Sequence, residues 1–295
     1  WGEWNIGHIA LLKLGRMGDH WGLGMVHNDG QCLDCDFGDS VDRASLLFNV
    51  AGFNSLWFFD FPAEGYLAKP EGSDGQAYDT GAEDDVYSWG FTIGSEPMDQ
   101  AAKSKRRRDL VKGKLVMDWG IRNQFVSQDY HTDVQKPSAN CIADSDGSLP
   151  LDCITLHKRE ASLWLPNAWL KLQWKPGYNM HLRAEIEAAA IVGDVKYTQN
   201  LDSPSSAKDF VGFGSAIEVE LSVGKMTYTL HTGFATGDEQ AFSSYGPGFH
   251  EPDDSLYGQN LAAQQNKSVD RFLFNRDYHV DMLLFRQQMG TITNS

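Results

Sequence analysis

Residues 180 to 197 read MHLRAEIEAAAIVGDVKY, and this stretch constrains the fold more than any other in the chain. Every even position from Met180 to Val192 is apolar, while polar or charged side chains stand at 181, 183, 185 and 187. A helix would bring Arg183 and Glu187 onto the same face as Met180. A strand points successive side chains to opposite faces, so the even positions form one apolar face. The stretch therefore predicts a strand with one apolar and one charged face.

The same period of two recurs along most of the chain. Further strands are predicted at 42–50, 54–61, 86–93, 113–125, 167–175, 215–224, 225–234 and 275–285, and the first eight residues are also strand-like. Together these stretches make roughly ten strands, and no stretch predicts an amphipathic helix. Gly224 stands between two of them and predicts a tight hairpin turn.

Two all-β architectures accommodate such strands. In a soluble β-sandwich or jelly roll the charged faces meet solvent and the apolar faces pack together. In a membrane β-barrel the charged faces line a wet lumen and the apolar faces meet lipid. Several stretches reach the roughly nine to eleven residues that cross a tilted bilayer, which is longer than most soluble strands. We therefore favour an all-β fold, a transmembrane antiparallel up-and-down β-barrel, over the sandwich.

Loop lengths favour the same architecture. Stretches rich in Gly, Asp, Ser and Pro at about 63–85, 128–159 and 237–268 alternate with short links at 51–54, 175–179 and around Gly224. Long loops on one side and short turns on the other are typical of outer-membrane barrels. No linker divides the chain, so we expect residues 1–295 to form a single barrel domain with these three segments as long extracellular loops.

Charge and hydropathy exclude several classes of protein. The net charge of −15 argues against a nucleic-acid partner, because no basic domain is present to neutralise phosphates. A mean hydropathy of −0.40, without a run of about 18 apolar residues, excludes a helical membrane protein. The one basic run, KSKRRR at 103–108, is expected to be a solvated loop, with a contact to lipid headgroups or lipopolysaccharide as the alternative.

The candidate site is the wall of a pore, which the charged faces of the strands would line. Mixed signs along that wall predict no strong anion preference, and a mild cation preference if the acids dominate the constriction. No hydrolase, metalloprotease or phosphate-loop motif occurs, so we expect no enzyme activity and no catalytic residues. The predicted pore-lining residues are Asp118, Arg122, Lys171, Lys175, Arg183, Glu185, Glu187, Glu218, Glu220, Asp277, His279 and Asp281.

The four cysteines lie in loop-like stretches, with Cys32 and Cys35 in CLDC and Cys141 and Cys153 around an acidic segment. An even count in an exposed setting predicts disulfides, and Cys32–Cys35 with Cys141–Cys153 is the preferred of the three pairings. A four-cysteine zinc site is the less favoured alternative, because only one CxxC is present and the other pair is widely spaced.

The acidic loops raise the question of calcium. DSDG places Asp144 and Asp146 beside a glycine, and carboxylates at Gly turns bind calcium. The segment does not complete a calcium loop with a closing Glu, so a solvated acidic loop is favoured. A calcium ion at Asp144 and Asp146 is the alternative, and no other cofactor or metal is expected.

Two stretches carry a family resemblance: KLGRMGDHWGLGMVHNDG at 13–30, followed by FGDSVDR at 37–43, and FNRDYHVDMLLFRQQMGTITN at 274–294. They resemble a porin-like outer-membrane β-barrel family of myxobacteria and related deltaproteobacteria. The resemblance implies an outer-membrane location in a Gram-negative bacterium and a porin-like barrel, and it implies no substrate. The pattern rests on Arg16, His20, Trp21, Asn28, Asp29, Asp39 and Arg43.

One departure from that family concerns the end of the chain. Such barrels usually finish on a strand with a terminal aromatic residue, whereas this chain ends in TITNS. Ten strands could close a barrel by themselves, but we expect further strands beyond Ser295 and about 12 to 18 strands in the complete barrel.

The predicted function is passive passage of small polar solutes through an outer-membrane porin-like barrel in contact with outer-membrane lipid and lipopolysaccharide. Two alternatives stay open. One is a surface or structural outer-membrane protein with a plugged lumen that acts in adhesion or binds a partner protein or a second copy of itself. The other is a soluble carbohydrate-binding β-sandwich.

Overall fold

The computed structural model describes residues 1–7, 10–31, 35, 38–50, 52–63, 85–97, 100–134, 154–197, 206–236, 268–269, 272–275 and 277–278. Within these residues the fold is all-β, and ten antiparallel strands follow one another in sequence order across one sheet. They are β1 Gly2–Ile6, β2 Ala10–Gly18, β3 Ser40–Val50, β4 Phe53–Ala63, β5 Val86–Gly94, β6 Val116–Val134, β7 Ile154–Gly177, β8 Met180–Tyr197, β9 Ser206–Val223 and β10 Met226–Ala235.

Two smaller elements accompany the sheet. The helix α1, Gln100–Val111, lies between β5 and β6, and the two-residue strand β11, Ser268–Val269, pairs in parallel with β9. No helix in the described part of the chain is long and apolar enough to span a membrane. The strands β1 and β10 are the two edges of the described sheet and are not paired with each other.

Connections of different length emerge at the two ends of the sheet. At one end β1–β2, β3–β4, β7–β8 and β9–β10 are joined by links of two or three residues, and α1 lies at this same end. The β9–β10 link is the predicted hairpin, in which Val223 pairs with Met226 and Gly224 has φ +62°. We call this the short-link end. The connections from β2 to β3, β4 to β5, β6 to β7 and β8 to β9 leave the opposite end.

The two faces of the sheet have opposite chemistry, as the alternation predicts. On β8, Glu187 is 0% exposed whereas its neighbour Ile186 is 38% exposed. Among the described residues, fifteen polar or charged side chains are buried but only ten hydrophobic ones, while 27 large hydrophobic side chains are exposed. A soluble domain normally shows the reverse distribution. Within the described residues, no second layer covers the apolar face.

The sheet is curved towards its charged face. The strands β2 and β8 are six places apart, so a flat sheet would separate them by about 29 Å. Leu23 lies only five residues beyond the end of β2, a reach of about 17 Å, yet its N–H donates to Glu187 Oε2 on β8 at 2.7 Å. We therefore call the charged face concave and the apolar face convex.

Four predictions about the elements need correction. The basic run expected in a solvated loop is helical. The ends of the predicted loop 128–159 are strand, because 128–134 and 154–159 extend β6 and β7 as a paired ladder. The strand β2 was missed. Among residues 275–285, the described residues 275, 277 and 278 are not strand, and Tyr278 donates its N–H back to the carbonyl of Asn275 at 3.0 Å.

Candidate functional site

The concave face is occupied by a segment of the chain itself, residues 19–30, which we call the inner loop. It leaves β2 and folds back as a compact turn, with the Trp21 N–H donating to the His27 carbonyl at 3.1 Å. A bond from the Gly24 N–H to the Trp21 carbonyl at 2.9 Å closes its tip. Asp39 joins both ends of the loop, because its carbonyl accepts from the Asp19 N–H and its N–H donates to the Asn28 carbonyl. Backbone hydrogen bonds within the loop and with Asp39 thus fold it into a compact turn.

Asp19 is the charged anchor of the inner loop. Its carboxylate accepts two hydrogen bonds from the Arg122 guanidinium, at 2.8 and 2.9 Å, and lies 2.9 Å from Arg43 Nη2. His27 Nδ1 is 3.1 Å from the same carboxylate. Burial by itself would raise the pKa of Asp19, but the charge of Arg122 and the hydrogen bonds from His27 and Arg122 outweigh it and hold the pKa well below its usual range. Asp19 is therefore ionised at neutral pH.

The same surroundings also lower the pKa of His27, which favours its uncharged form. Burial of the ring and the nearby charge of Arg122 lower the pKa of His27, although the Asp19 hydrogen bond acts against them. The imidazole is therefore neutral at pH 7. It follows that Arg122 and Arg43, rather than His27, supply the positive charge that stabilises Asp19 inside the sheet.

Both arginines are positioned by further contacts on the concave face. Arg43 donates a bidentate pair of hydrogen bonds to Asp60 on the neighbouring strand at 2.6 and 2.7 Å. Arg122 also donates to Gln124, which in turn donates to Ser88 at 3.0 Å. A buried aromatic residue, Phe58, has its ring 4.7 Å from one guanidinium and 4.8 Å from the other. Such cation–π contacts, together with the ion pairs, fix both guanidinium planes.

Glu187 forms a second anchor for the inner loop. Its Oε2 accepts from the backbone N–H of Leu23 at 2.7 Å and of Met25 at 3.3 Å, and its Oε1 accepts from Asn167 Nδ2 at 2.6 Å. Gly22 permits this approach. It has φ +61°, and a Cβ at this position would lie 2.6 Å from Glu187 Oε2. The backbone of the loop therefore binds a buried carboxylate that has no cationic partner in hydrogen-bond contact among the described residues.

Trp21 packs the inner loop against the concave face of the sheet. Its indole N–H donates to Asn167 Oδ1 at 3.1 Å. Its ring lies over Gly120 of β6, where an added Cβ would meet the ring at 2.6 Å. Glycine inside a strand commonly marks such a close approach. Trp21 and two backbone amides thus contact β6, β7 and β8, in addition to the pair that Asp19 forms with Arg122 of β6.

A second polar cluster lies nearer the short-link end of β7, β8 and β9. Glu185 accepts from Arg183 at 2.9 Å and from the Trp169 indole at 3.2 Å, and it lies 3.0 Å from Lys171 Nζ. Arg183 also donates to Glu218 at 2.9 Å. The acidic and basic side chains of this cluster therefore neutralise one another in pairs along the concave face.

The described C-terminal residues pack against the inner loop. The Asn275 N–H donates to the Met25 carbonyl at 2.7 Å, and the Tyr278 hydroxyl donates to Glu218 at 3.2 Å. Burial and the nearby Glu218 raise the pKa of Tyr278, so the hydroxyl keeps its proton. Phe272 lies over Gly214 of β9, where a Cβ would be 2.2 Å from its ring. The small apolar cluster inside the curve consists of Met25, Ala189, Ala216, Phe272 and Tyr278.

The structure places most of the predicted pore-lining residues on the concave face. Asp118, Arg122, Glu185, Glu187 and Asp277 are buried there, and Lys171, Lys175, Arg183, Glu218 and Glu220 are partly buried. Asp277 reaches this position from a turn and not from the predicted strand. Tyr278, which the predicted strand would place on the face opposite Asp277 and His279, is buried. His279 and Asp281 lie outside the described residues, and a pore-lining role for the whole set stays a prediction.

The cysteine and calcium predictions fall largely outside the described residues. Cys35 is described, and its Sγ lies 3.7 Å from the Asp277 carbonyl oxygen. Cys32, Cys141 and Cys153 are not, so both pairings stay predictions. Asp144 and Asp146 are likewise outside the described part, and within that part no three His, Cys, Asp or Glu side chains are grouped to hold a metal ion.

Several residues of the site escaped the sequence reasoning. Asp19, His27 and Asp60 were not expected to interact with Arg122 or Arg43, because no pattern links positions so far apart. A usable signal was present in the glycines. Gly22 and Gly24 flank a hydrophobic residue in GLGM, and Gly120 and Gly214 interrupt otherwise regular strands. Glycines in a loop mark backbone turns, and glycines inside a strand mark close contacts.

Comparison of the chain with protein-family models, with curated proteins and with solved structures gives no match. The family resemblance inferred from the sequence therefore stays a prediction. The geometry itself defines a polar, charge-paired interior that holds an inward-folded loop. Such an arrangement offers fixed charges and hydrogen-bond donors to small polar molecules.

Proposed function

We propose that this chain forms most of a β-barrel embedded in a bacterial outer membrane, with its convex face against lipid. The observation that carries the proposal is the inverted burial of the sheet, in which ion pairs lie inside and large apolar side chains lie outside. An uncovered apolar face of this size is unstable in water and stable in a hydrocarbon layer. The described sheet would be completed by strands from the rest of the protein.

The length of the strands and the aromatic side chains support the same proposal. The strands β6 to β9 have 18 to 24 residues, more than the roughly nine to eleven that cross a bilayer. Trp57 stacks on Phe91 and Trp89 stacks on Phe125, all on the convex face. Tryptophan on a lipid-facing surface is favoured near the membrane interfaces.

Within this barrel we propose passive passage of small polar solutes along a lumen that the inner loop narrows. Solutes would pass the second polar cluster, where the partly buried Lys171, Arg183 and Glu218 offer charges of both signs. The inner loop favours a second candidate, a plugged surface protein without conductance that binds a partner. The anchoring of Asp19 by two arginines is the specific observation behind this alternative.

Fractionation tests the membrane assignment. The intact protein, expressed with an outer-membrane export signal, should sediment with outer membranes and require detergent for extraction. It should also migrate faster on gels before heating than after, as folded barrels do. Release by buffer alone, with a single band at both temperatures, would refute the proposal and favour the soluble β-sandwich.

Planar bilayers separate the two candidate functions. Under a salt gradient, a solute-passing barrel should show unit conductance, and Glu218→Lys should shift the reversal potential towards anions. Val223→Thr, a change on the convex face, is the matched control and should leave the reversal potential unchanged. Absence of conductance from protein that shows the heat-dependent gel shift would leave the plugged surface protein as the function.

A further inference from the structure

A cleft of about 400 Å³ lies between α1 and the short-link end of the sheet. Asn49 and Asn54 line it from β3 and β4, and Lys105 lines it from the helix. The segment after the helix completes it with Lys114, Leu115 and Met117. Polar and apolar side chains thus meet in one half-open space.

The charge of this region contrasts with that of the whole chain. The segment from Gln100 to Lys114 carries seven cationic side chains and one carboxylate, in a chain of net charge −15. Lys105 forms no salt bridge with another described residue, and Lys114 is paired 3.1 Å from Asp109 at an exposed position. Of the charged residues that line the cleft, Lys105, Arg106 and Lys114 are cationic and Asp109 is anionic, so the cleft has a surplus of positive charge and attracts anions.

The helix is fixed in place by residues that are not free to bind a ligand. Arg106 donates to the Ser95 carbonyl at 2.7 Å and pairs with Asp118 at 2.5 Å. Trp174 donates its indole N–H to the Gly113 carbonyl at 3.1 Å, which ties the chain after the helix to β7. Lys105 is thus held beside the cleft without being used to anchor the helix, whereas Lys114 forms its exposed pair with Asp109, which also lines the cleft.

The apolar margin of the cleft is continuous with the convex face. Leu115 is 62% exposed and Met117 is 51% exposed, and Met117 shares the outward side of β6 with Ile121. A ligand that reaches both lysines and both apolar residues must itself have an anionic and an apolar part. Inorganic phosphate satisfies only the first condition.

We propose that this cleft binds the phosphate group of an anionic phospholipid, with Lys105 and Lys114 on the phosphate and Leu115 and Met117 against its chains. The proposal rests on the proposed function, because the lipid would come from the surrounding bilayer. Short turns of outer-membrane barrels face the periplasm. The lipid is therefore a phospholipid of the periplasmic leaflet and not lipopolysaccharide.

Native mass spectrometry of the full chain in a neutral detergent tests the cleft. Dihexanoyl phosphatidylglycerol should remain bound where dihexanoyl phosphatidylcholine at equal concentration does not. Lys105→Gln with Lys114→Gln should weaken phosphatidylglycerol binding about tenfold or more, because each basic residue near an anionic lipid adds to the free energy of binding. Lys103→Gln with Lys112→Gln removes the same charge outside the cleft and should change binding less than twofold.

Three results would overturn the proposal. They are equal retention of the two lipids, equal weakening by the two double variants, and displacement of phosphatidylglycerol by inorganic phosphate at equal concentration, which would assign the cleft to free phosphate. Because the short-chain lipids dissolve in water, the same titration runs in buffer if the protein proves to need no detergent. A failed membrane assignment is then distinguishable from a failed cleft.

Discussion

Two ion pairs of this protein have the same chemistry and opposite surroundings. Arg16 donates a bidentate pair of hydrogen bonds to Asp42 at 2.6 and 3.0 Å, and its side chain is 67% exposed. Arg122 donates a bidentate pair to Asp19 at 2.8 and 2.9 Å, and its side chain is 3% exposed. The first pair joins two neighbouring strands at their ends. The second joins the inner loop to a strand across the concave face.

The difference shows where electrostatics determine this structure. An exposed pair contributes little, because water and salt screen both charges whether or not they meet. Each member of a buried pair needs the other for stability, because removal of one leaves the charge of the other uncompensated in a poorly solvated interior. The inner loop is therefore held by a few buried carboxylates, and the exposed ion pairs at the sheet ends are dispensable.

The largest effect is expected from Arg122→Met. The substitution leaves Asp19 buried with Arg43 as its remaining cationic partner, and breaking a buried pair in this way costs about 3 to 5 kcal/mol. Arg16→Met removes the exposed partner and should cost less than about 1 kcal/mol. Urea unfolding of both variants in the same detergent or vesicle system measures the difference in the free energy of unfolding.

A double variant sharpens this comparison. Asp19→Asn with Arg122→Met removes the stranded charge and should recover part of the loss. If Arg122→Met cost no more than Arg16→Met, the buried pair would not hold the inner loop, and the proposed narrowing of the lumen would lose its support.

A smaller effect is expected where the inner loop meets Glu187. Gly22 and Gly224 have nearly the same backbone conformation, with φ +61° and +62°. A Cβ on Gly224 meets nothing within 4 Å, whereas one on Gly22 lies 2.6 Å from Glu187 Oε2. Gly224→Ala should cost about 1 to 2 kcal/mol from the left-handed backbone alone, and Gly22→Ala should cost more. Equal losses in urea unfolding would show that Glu187 gives way without penalty.

The face chemistry of the strands was predictable because it depends on a local rule. Alternation in 180–197 correctly assigned Glu185 and Glu187 to one side and Ile186 to the other, since side-chain direction follows from the strand period. The barrel closure and the membrane location remain proposals, because a period of two does not state what covers each face.

The missed features share a different physical cause. In β2 the alternation is broken by Leu11, which is apolar on the concave side, so the period is weak there. The stretches 128–134 of β6 and 154–159 of β7 are polar over much of their sequence, and backbone pairing, such as that of His131 with His157, makes them strands. The inner loop is anchored to β6 and β8 by contacts between residues 103 and 164 positions apart, for which a single sequence has no signal.

The smallest effect is a pH dependence that separates two histidines of the inner loop, the buried His27 and the more exposed His20. The pKa of His27 is lowered in the folded protein, so in the range below its ordinary value of 6.5 the unfolded chain binds a proton that the folded chain does not. Stability should therefore fall as the pH is lowered from about 6.5. The lowered pKa of Asp19 adds a second loss of stability only below its ordinary value of about 3.8, where the unfolded carboxylate protonates first.

His27→Gln should flatten the pH dependence of stability between pH 5 and 7 in urea unfolding, whereas His20→Gln, at a ring 45% exposed, should preserve it. An unchanged slope in His27→Gln would mean that the imidazole is solvated in the protein, and the inner loop would then be less closely packed on the concave face than its contacts with Asp19 and Glu187 indicate.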